Sequence, residues 1–476
     1  MSNATIGSPE TLRPWLCLVA TALLFGYAPA VFGYAPAVFG YAPAVFGYAP
    51  AAQQVEEPAP PVATWAQWRG PLGTGVAPDA TPPLEWSETE NLHWRVALPG
   101  KGHATPVVAG GLLFMTATHP IGERTEPRPE TAPGAHNNVF VDQAHRFLAF
   151  AVDQTSGEIV WQTTLAERFP FEGGHSSGTY ASGSPVTDGE RFYASFGSAG
   201  VFCLDMGGQV LWKTEPEQLQ SKHGHGEGSS PALFGDSLFV NADHEGQSYL
   251  VALDKLTGKE RWRVVRDEVT SWTSPIVVEL SDGPQLIVCG TKYVRAYNPE
   301  NGEVIWRCPG LSHNVVATPV FGHGMLFAAS SYEKQALLAL RLEGAKGDLE
   351  ETDHVVWYHR RTAPYVPSPL LYGNALYILN HYQGIVSRYD AKTGEREGKP
   401  TRLSGINDVY ASPLGAAGRI YIVDRSGETV VISHADEPQV LARNMLNDSF
   451  SASPIAIGSD LFLRGEAFLY CLRDDG

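Results

Sequence analysis

A serine–proline or threonine–proline pair recurs along this chain, with prolines at 106, 185, 231, 275, 319, 369, 413 and 454. Five of the seven intervals lie between 41 and 46 residues, and 50 and 79 are the exceptions. A fixed period of this size restricts a chain of 476 residues to a repeat architecture, in which each unit buries its apolar face against the next. Eight residues after seven of the prolines stands an aromatic: Phe114, Tyr193, Phe239, Phe327, Tyr377, Tyr421 and Phe462. In the fourth unit Ser281, Asp282, Gly283 and Pro284 lengthen the turn, and Ile287 takes the place. A glycine four after the proline (Gly110, Gly189, Gly235, Gly373, Gly458) marks a tight turn between two strands.

Each unit continues into a third strand and a second turn. Asp153, Gly157 and Trp161 have the same spacing as Asp254, Gly258 and Trp262, and as Asn298, Gly302 and Trp306. Asp or Asn at the start of such a turn bonds backbone N–H groups two residues on, and glycine accepts a positive φ. Tryptophan then opens a fourth strand, where its flat ring fills the gap between neighbouring sheets. Trp212 and Trp357 stand in the same place in shorter and longer variants. These glycines precede strands rather than helices, so they form no phosphate loop. Four strands in about 44 residues describe a propeller blade. The last unit, 453–472, stops before a fourth strand, while the stretch around Trp94 has that pattern with no blade before it. The expectation is an all-β, eight-bladed β-propeller of four-stranded antiparallel blades, with an N-terminal strand closing the last blade and leaving no open edge. The sixth and seventh fourth strands, near Leu403 and Val440, lack the tryptophan.

The formal net charge of −17 disfavours phosphate backbones, so no nucleic-acid partner is expected. The five cysteines (Cys17, Cys203, Cys289, Cys308, Cys471) form no CxxC, and three sit in apolar strand-like runs as small buried hydrophobes; spacing leaves a Cys289–Cys308 bridge open. Residues 1–52 read as a signal peptide or membrane anchor, with an apolar run from Leu16 to Phe25 and a near-perfect heptad tract, FGYAPAV, continuing to Pro50. Residues 53–63 are a proline-rich linker, and 64–476 are assigned to the propeller. An exported protein of the periplasm or cell envelope, with possible membrane attachment through this tract, is the expectation.

The Ala-x-Asp-x-x-Thr-Gly-Glu-x-x-Trp pattern resembles the tryptophan docking motif of pyrroloquinoline-quinone (PQQ) repeat propellers. These include quinoprotein alcohol dehydrogenases and the BamB-type outer-membrane assembly factors. The stretch from Trp65 to Gly75 and the run Glu85, Trp86, Ser87 are similar to the opening of the BamB-like members, so the resemblance covers residues 65–472. It implies a fold more than a function, because the motif residues are structural. In the catalytic members the quinone stacks on adjacent cysteines beside a calcium held by Glu, Asn and Asp. This chain has no adjacent cysteines and no CxxCH, so neither bound PQQ nor dehydrogenase activity is expected.

In a propeller the connections entering the first strands share a face with those between second and third strands. The segments ahead of the Ser/Thr-Pro pairs contribute His103, His175, His223, His225, Trp272, His313, Asn314, Tyr365, Asp408 and Tyr410 to this channel mouth, and five of the fifteen histidines lie among them. The connection over 115–146 is much longer than its counterparts and carries His119 and His136. His223 and His225, joined by His103 or His313, offer the imidazoles of a tetrahedral metal site; the alternative is a solvated glycine-rich loop in which they pair with Glu227. No metal or catalytic residue is assigned. The function expected is a non-enzymatic binding or scaffolding module of the cell envelope, with a protein partner or a small extracellular ligand. The alternative is a quinoprotein-like or metal-dependent enzyme with its site at the histidine-rich mouth.

Overall fold

The computed structural model describes residues 63–215 and 218–474; the expected signal or anchor tract lies outside them. Eight antiparallel sheets follow one another, with first strands Val107–Ala109, Val186–Thr187, Ala232–Phe234, Ile276–Leu280, Val320–Gly322, Leu370–Tyr372, Leu414–Ala416 and Ile455–Ile457. We number them blades 1 to 8. Blade 8 takes its fourth strand, Leu92–Ala97, from the start of the propeller, pairing Trp94 with Cys471. The fourth strands without tryptophan form as Arg396–Arg402 and Val440–Met445. Among the described residues there is no α-helix, and no helix is long and apolar enough to cross a membrane. The aromatic eight after each proline lies in the second strand and is buried, as is Ile287. Cys289 and Cys308 are both free and buried.

The Ser/Thr-Pro pairs turn out to be the hub. The backbone N–H of Thr105 donates to Ser184 Oγ at 2.9 Å, that of Ser184 to Ser230 Oγ, and that of Ser230 to Ser274 Oγ. The chain of donors continues through Thr318, Ser368 and Ser412 to Ser453, whose own N–H returns to Thr105 Oγ1 at 3.0 Å. Every blade therefore gives one N–H to the next and offers one hydroxyl to the one before, in a closed circle of buried bonds. The following proline has no N–H of its own to leave unpaired at this crowded centre.

At the periphery the tryptophans dock between blades. Trp161 Nε1 donates to Met206 O of blade 2 at 2.9 Å while its ring lies over Gly208. A Cβ on Gly208 would come within 2.5 Å of that ring, and its φ is +85°. The turn glycine thus serves twice, for the positive φ and for the face of the neighbour's indole. Trp94, Trp212, Trp262 and Trp357 repeat the bond on Gln154, Lys255, Pro299 and Ala391. Blade 4 departs. Trp306 bonds Gln285 Oε1 instead, because an insertion before the fourth strand of blade 5 brings Leu342, Ala345 and Leu349 over it. Where blades 6 and 7 lack the tryptophan, His434 stacks on Tyr372 at 4.1 Å, and Trp86 stacks on Tyr421 at 6.3 Å.

The opening segment seals the far side of the channel. Ala63–Trp65 adds to blade 1, Arg69 donates to the carbonyls of Pro369 and Pro413 in blades 6 and 7, and Val76 bridges Gly415. Trp68 Nε1 donates to Ser453 Oγ at 3.1 Å, tying this plug to the central circle. Its indole borders both the cavity at the mouth and the one on the opposite face, so it is the partition between them.

Removing one hydroxyl from the circle leaves a buried N–H without a partner, which costs about 1–3 kcal/mol. Ser412→Ala should therefore lower the unfolding free energy by that amount, read as a lower urea midpoint at unchanged m, and Ser412→Thr should keep most of the stability. Equal midpoints for Ser412→Ala and wild type would show that the circle is not structural.

Candidate functional site

On the face opposite the plug, the connections ahead of the first strands and those between second and third strands wall a cavity of about 500 Å³. Six of the ten residues expected there line it: His103, His175, His225, Trp272, Tyr365 and Tyr410. The other four stand elsewhere. His223 packs behind His225, and Asn314 is buried beside Tyr365 with a φ of +54°. His313 faces outward 3.6 Å from Glu333, and Asp408 is held on the rim by Arg425 at 2.9 Å.

The wall from blades 5 to 7 is aromatic. Tyr365 stacks on His381 at 4.9 Å and 9°, and Tyr332 lies 5.7 Å from Tyr365. Tyr382 continues the crescent 6.1 Å from Tyr410, whose outer face carries the Arg425 guanidinium at 4.7 Å. Burial pushes the Tyr365 phenol up to about 12, so it stays a hydrogen-bonding O–H. Trp272 closes the crescent from the loop ahead of blade 4, its Nε1 fixed on Gly226 O at 2.7 Å.

The opposite wall is built of hydroxyls and imidazoles. The second and third strands of blade 1, Leu112–Ile121 and Ala144–Asp153, run ten residues each and carry an excursion between them. Within it Asn138–Val139 pairs with Gly174–His175, and Asn138 Nδ2 donates to the carbonyls of His223 and Gly224 at 2.7 and 3.0 Å. This places His136 4.8 Å from His225, 5.2 Å from His223 and 6.3 Å from His175, between ring centroids. The expected grouping of His223 and His225 with His103 or His313 is thus corrected: the long excursion, and not the neighbouring blades, supplies the partner. Pairing of the histidines with Glu227 is corrected too. Glu227 accepts the N–H of Ser198 at 2.7 Å and its hydroxyl, and burial raises its carboxyl to about 7. Ser177 Oγ spans the mouth, touching His175 Nδ1 at 2.7 Å and donating to Tyr410 at 3.2 Å.

Four further rings line the cavity: Trp68, His136, Tyr332 and Tyr382. His136, Tyr332 and Tyr382 come from the second-to-third-strand connections that the sequence places on this face, although they were not among the ten. Trp68 had no signal, because the plug has no counterpart in the repeat. The four described cysteines are buried in strands of blades 2, 4 and 8, away from the cavity.

His103 sits in the wall with its Nε2 sealed from water, above a buried Arg464 whose guanidinium donates to the carbonyls of Ala104 and Thr116, both at 2.6 Å. Burial, then the charge of Arg464, lowers its imidazole to about 3. The unfolded chain, with His103 at the ordinary value of 6.5, binds the proton that the folded chain refuses, so stability falls as pH drops below 6.5. The loss should reach roughly 1–2 kcal/mol at pH 5. His103→Asn should remove this part of the acid sensitivity; parallel unfolding curves at pH 7.5 and 5 for both proteins test it, and identical pH slopes would contradict it.

The sequence profile of a family described as outer membrane protein assembly factor BamB matches residues 146–397 and 246–475. Polyvinylalcohol dehydrogenase of Pseudomonas sp is 26% identical over 335 residues, covering 52% of this chain and 52% of its own; the chain spans about half the length of that relative. BamB of Yersinia pestis is 20% identical over 335 residues, covering 67% of this chain and 78% of its own. Among solved structures, quinohemoprotein alcohol dehydrogenase from Comamonas testosteroni superposes with a TM-score of 0.58 at 10% identity, over 87% of this chain and 80% of its own. At that identity the likeness is one of fold.

Proposed function

This chain belongs to the BamB family of PQQ-repeat propellers, and we propose that it is a binding module of the cell envelope whose channel mouth holds a small, neutral, polyhydroxylated ligand. The observation that carries the reading is the pairing of two unlike walls around one cavity. Tyr332, Tyr365, Tyr382 and Trp272 offer flat faces to the C–H side of a sugar or polyol. Ser177, Thr179, Ser182 and the imidazoles across from them offer donors and acceptors to its hydroxyls. Among the described residues no Lys or Arg lines the cavity, which disfavours an anionic guest, and about 500 Å³ suits a small molecule. The relative named for polyvinyl alcohol, a chain of hydroxyl groups, agrees with that class.

The quinone of the family's oxidoreductases does not fit the residues present. None of the described cysteines reaches the cavity, and its one lining carboxylate, Glu227, is already tied to Ser198. The binding reading therefore stands ahead of a quinoprotein one.

Calorimetry of the full chain against polyvinyl alcohol oligomers and a set of neutral oligosaccharides tests the proposal. Saturable binding to at least one is expected, with Trp272→Ala and Tyr365→Ala each weakening it about tenfold, the effect of losing one stacked face. No binding across the set, or binding unchanged in both variants, overturns it.

A further inference from the structure

Three imidazoles at the mouth are held alike. His136 Nδ1 contacts Gly134 O at 2.8 Å, and His223 Nδ1 contacts Pro133 O at 3.1 Å. A carbonyl oxygen only accepts, so each Nδ1 carries the proton and each Nε2 keeps a free lone pair. The His225 ring bonds the His136 backbone, and its Nε2 is buried without a partner. Such anchoring of one ring nitrogen on a carbonyl is how metal-ligating histidines are oriented.

The rings also have the right spacing. Their centroids form a triangle with sides of 4.8, 5.2 and 5.3 Å. Imidazoles around a tetrahedral zinc, bonded at about 2.0–2.1 Å, place their centroids about 5.2 Å apart. A carboxylate also stands beside the loop: Glu130 accepts from Asn138 Nδ2 at 2.8 Å, and a Cβ on Gly224, between two of the histidines, would fall 2.6 Å from its Oε2.

We propose that His136, His223 and His225 form a binding site for a divalent zinc-class ion, with its fourth position open to the cavity that His136 and His225 line. The rings lie edge to face, and among the described residues no three His, Cys, Asp or Glu side chains are already gathered around one point. Binding must therefore draw in His136, the one member carried by the excursion between blade 1 strands. The ion then clamps residues 122–143 across the mouth, linking blade 1 to the loop ahead of blade 3.

Zinc titration of the chelator-stripped, untagged full chain, with no organic ligand present, tests this independently of the polyol reading. One equivalent is expected to bind, cobalt in its place should give the intense visible bands of a four-coordinate ion, and zinc should slow hydrogen exchange over 122–143. His136→Gln and His225→Gln should each abolish the cobalt bands, while His119→Gln and His313→Gln, both at exposed positions, should leave them intact. Should either ligand variant fold poorly by circular dichroism, His223→Gln on the outer side of the cluster serves in its place. No saturable uptake, or cobalt bands that survive the ligand variants, overturns the proposal.

Discussion

Eight backbone N–H groups donating to eight hydroxyls in a closed circle hold the inner ends of the blades at one register, and the rest of the molecule is arranged around that circle. A sheet in a propeller has its first strand against the channel, where backbone groups facing inward have no further strand to bond. A hydroxyl on the neighbouring blade answers that need within reach of one residue, and the next proline removes another donor from the same crowded place. Because each bond needs the adjacent blade at one height, the circle also aligns the connections at the mouth. The cavity wall is thus a by-product of the hub: residues a few positions ahead of each Ser/Thr arrive at one level on one face.

This explains which parts of the molecule were legible in the sequence. The pairs at 105–106, 184–185 and their successors repeat because the circle demands the same chemistry from every blade, so the period, the blade count and the borrowed strand around Trp94 could be read directly. The same logic placed His103, Trp272, Tyr365 and Tyr410 on the correct face. It failed where a segment is used once. The long connection put His136 on the right face, but its approach to His223 and His225 depends on an excursion with no equivalent in other blades, and Trp68 belongs to a plug that precedes the repeat. His313 and Asp408 show the other limit: a loop can be placed on a face by periodicity, but which way each side chain points within it, here to Glu333 or Arg425, cannot.

The mouth is asymmetric in a way that the repeat is not. Blades 5 to 7 supply a crescent of packed aromatic rings, and blades 1 to 3 supply imidazoles, hydroxyls and carboxylates displaced from their usual ionisation by burial. A ring of equivalent loops would offer a guest eight similar directions. Here the excursion from blade 1 breaks that equivalence, so a bound molecule meets an apolar side and a polar side and has one orientation to choose.

The strand Leu92–Ala97, paired with Phe468–Leu472, has a consequence for how the protein comes into being. During synthesis this strand is made before any complete blade, yet its only sheet partner is made some 370 residues later. Until then blade 8 has no outer strand, the circle of hydroxyls is open between Ser453 and Thr105, and the partly made chain has two ragged edges rather than a seam. Closure is therefore a single late event of long sequence separation, slow in the way that non-local pairings are slow. The growing chain stays without this seam for most of its synthesis, and the ring is closed only when its two ends meet.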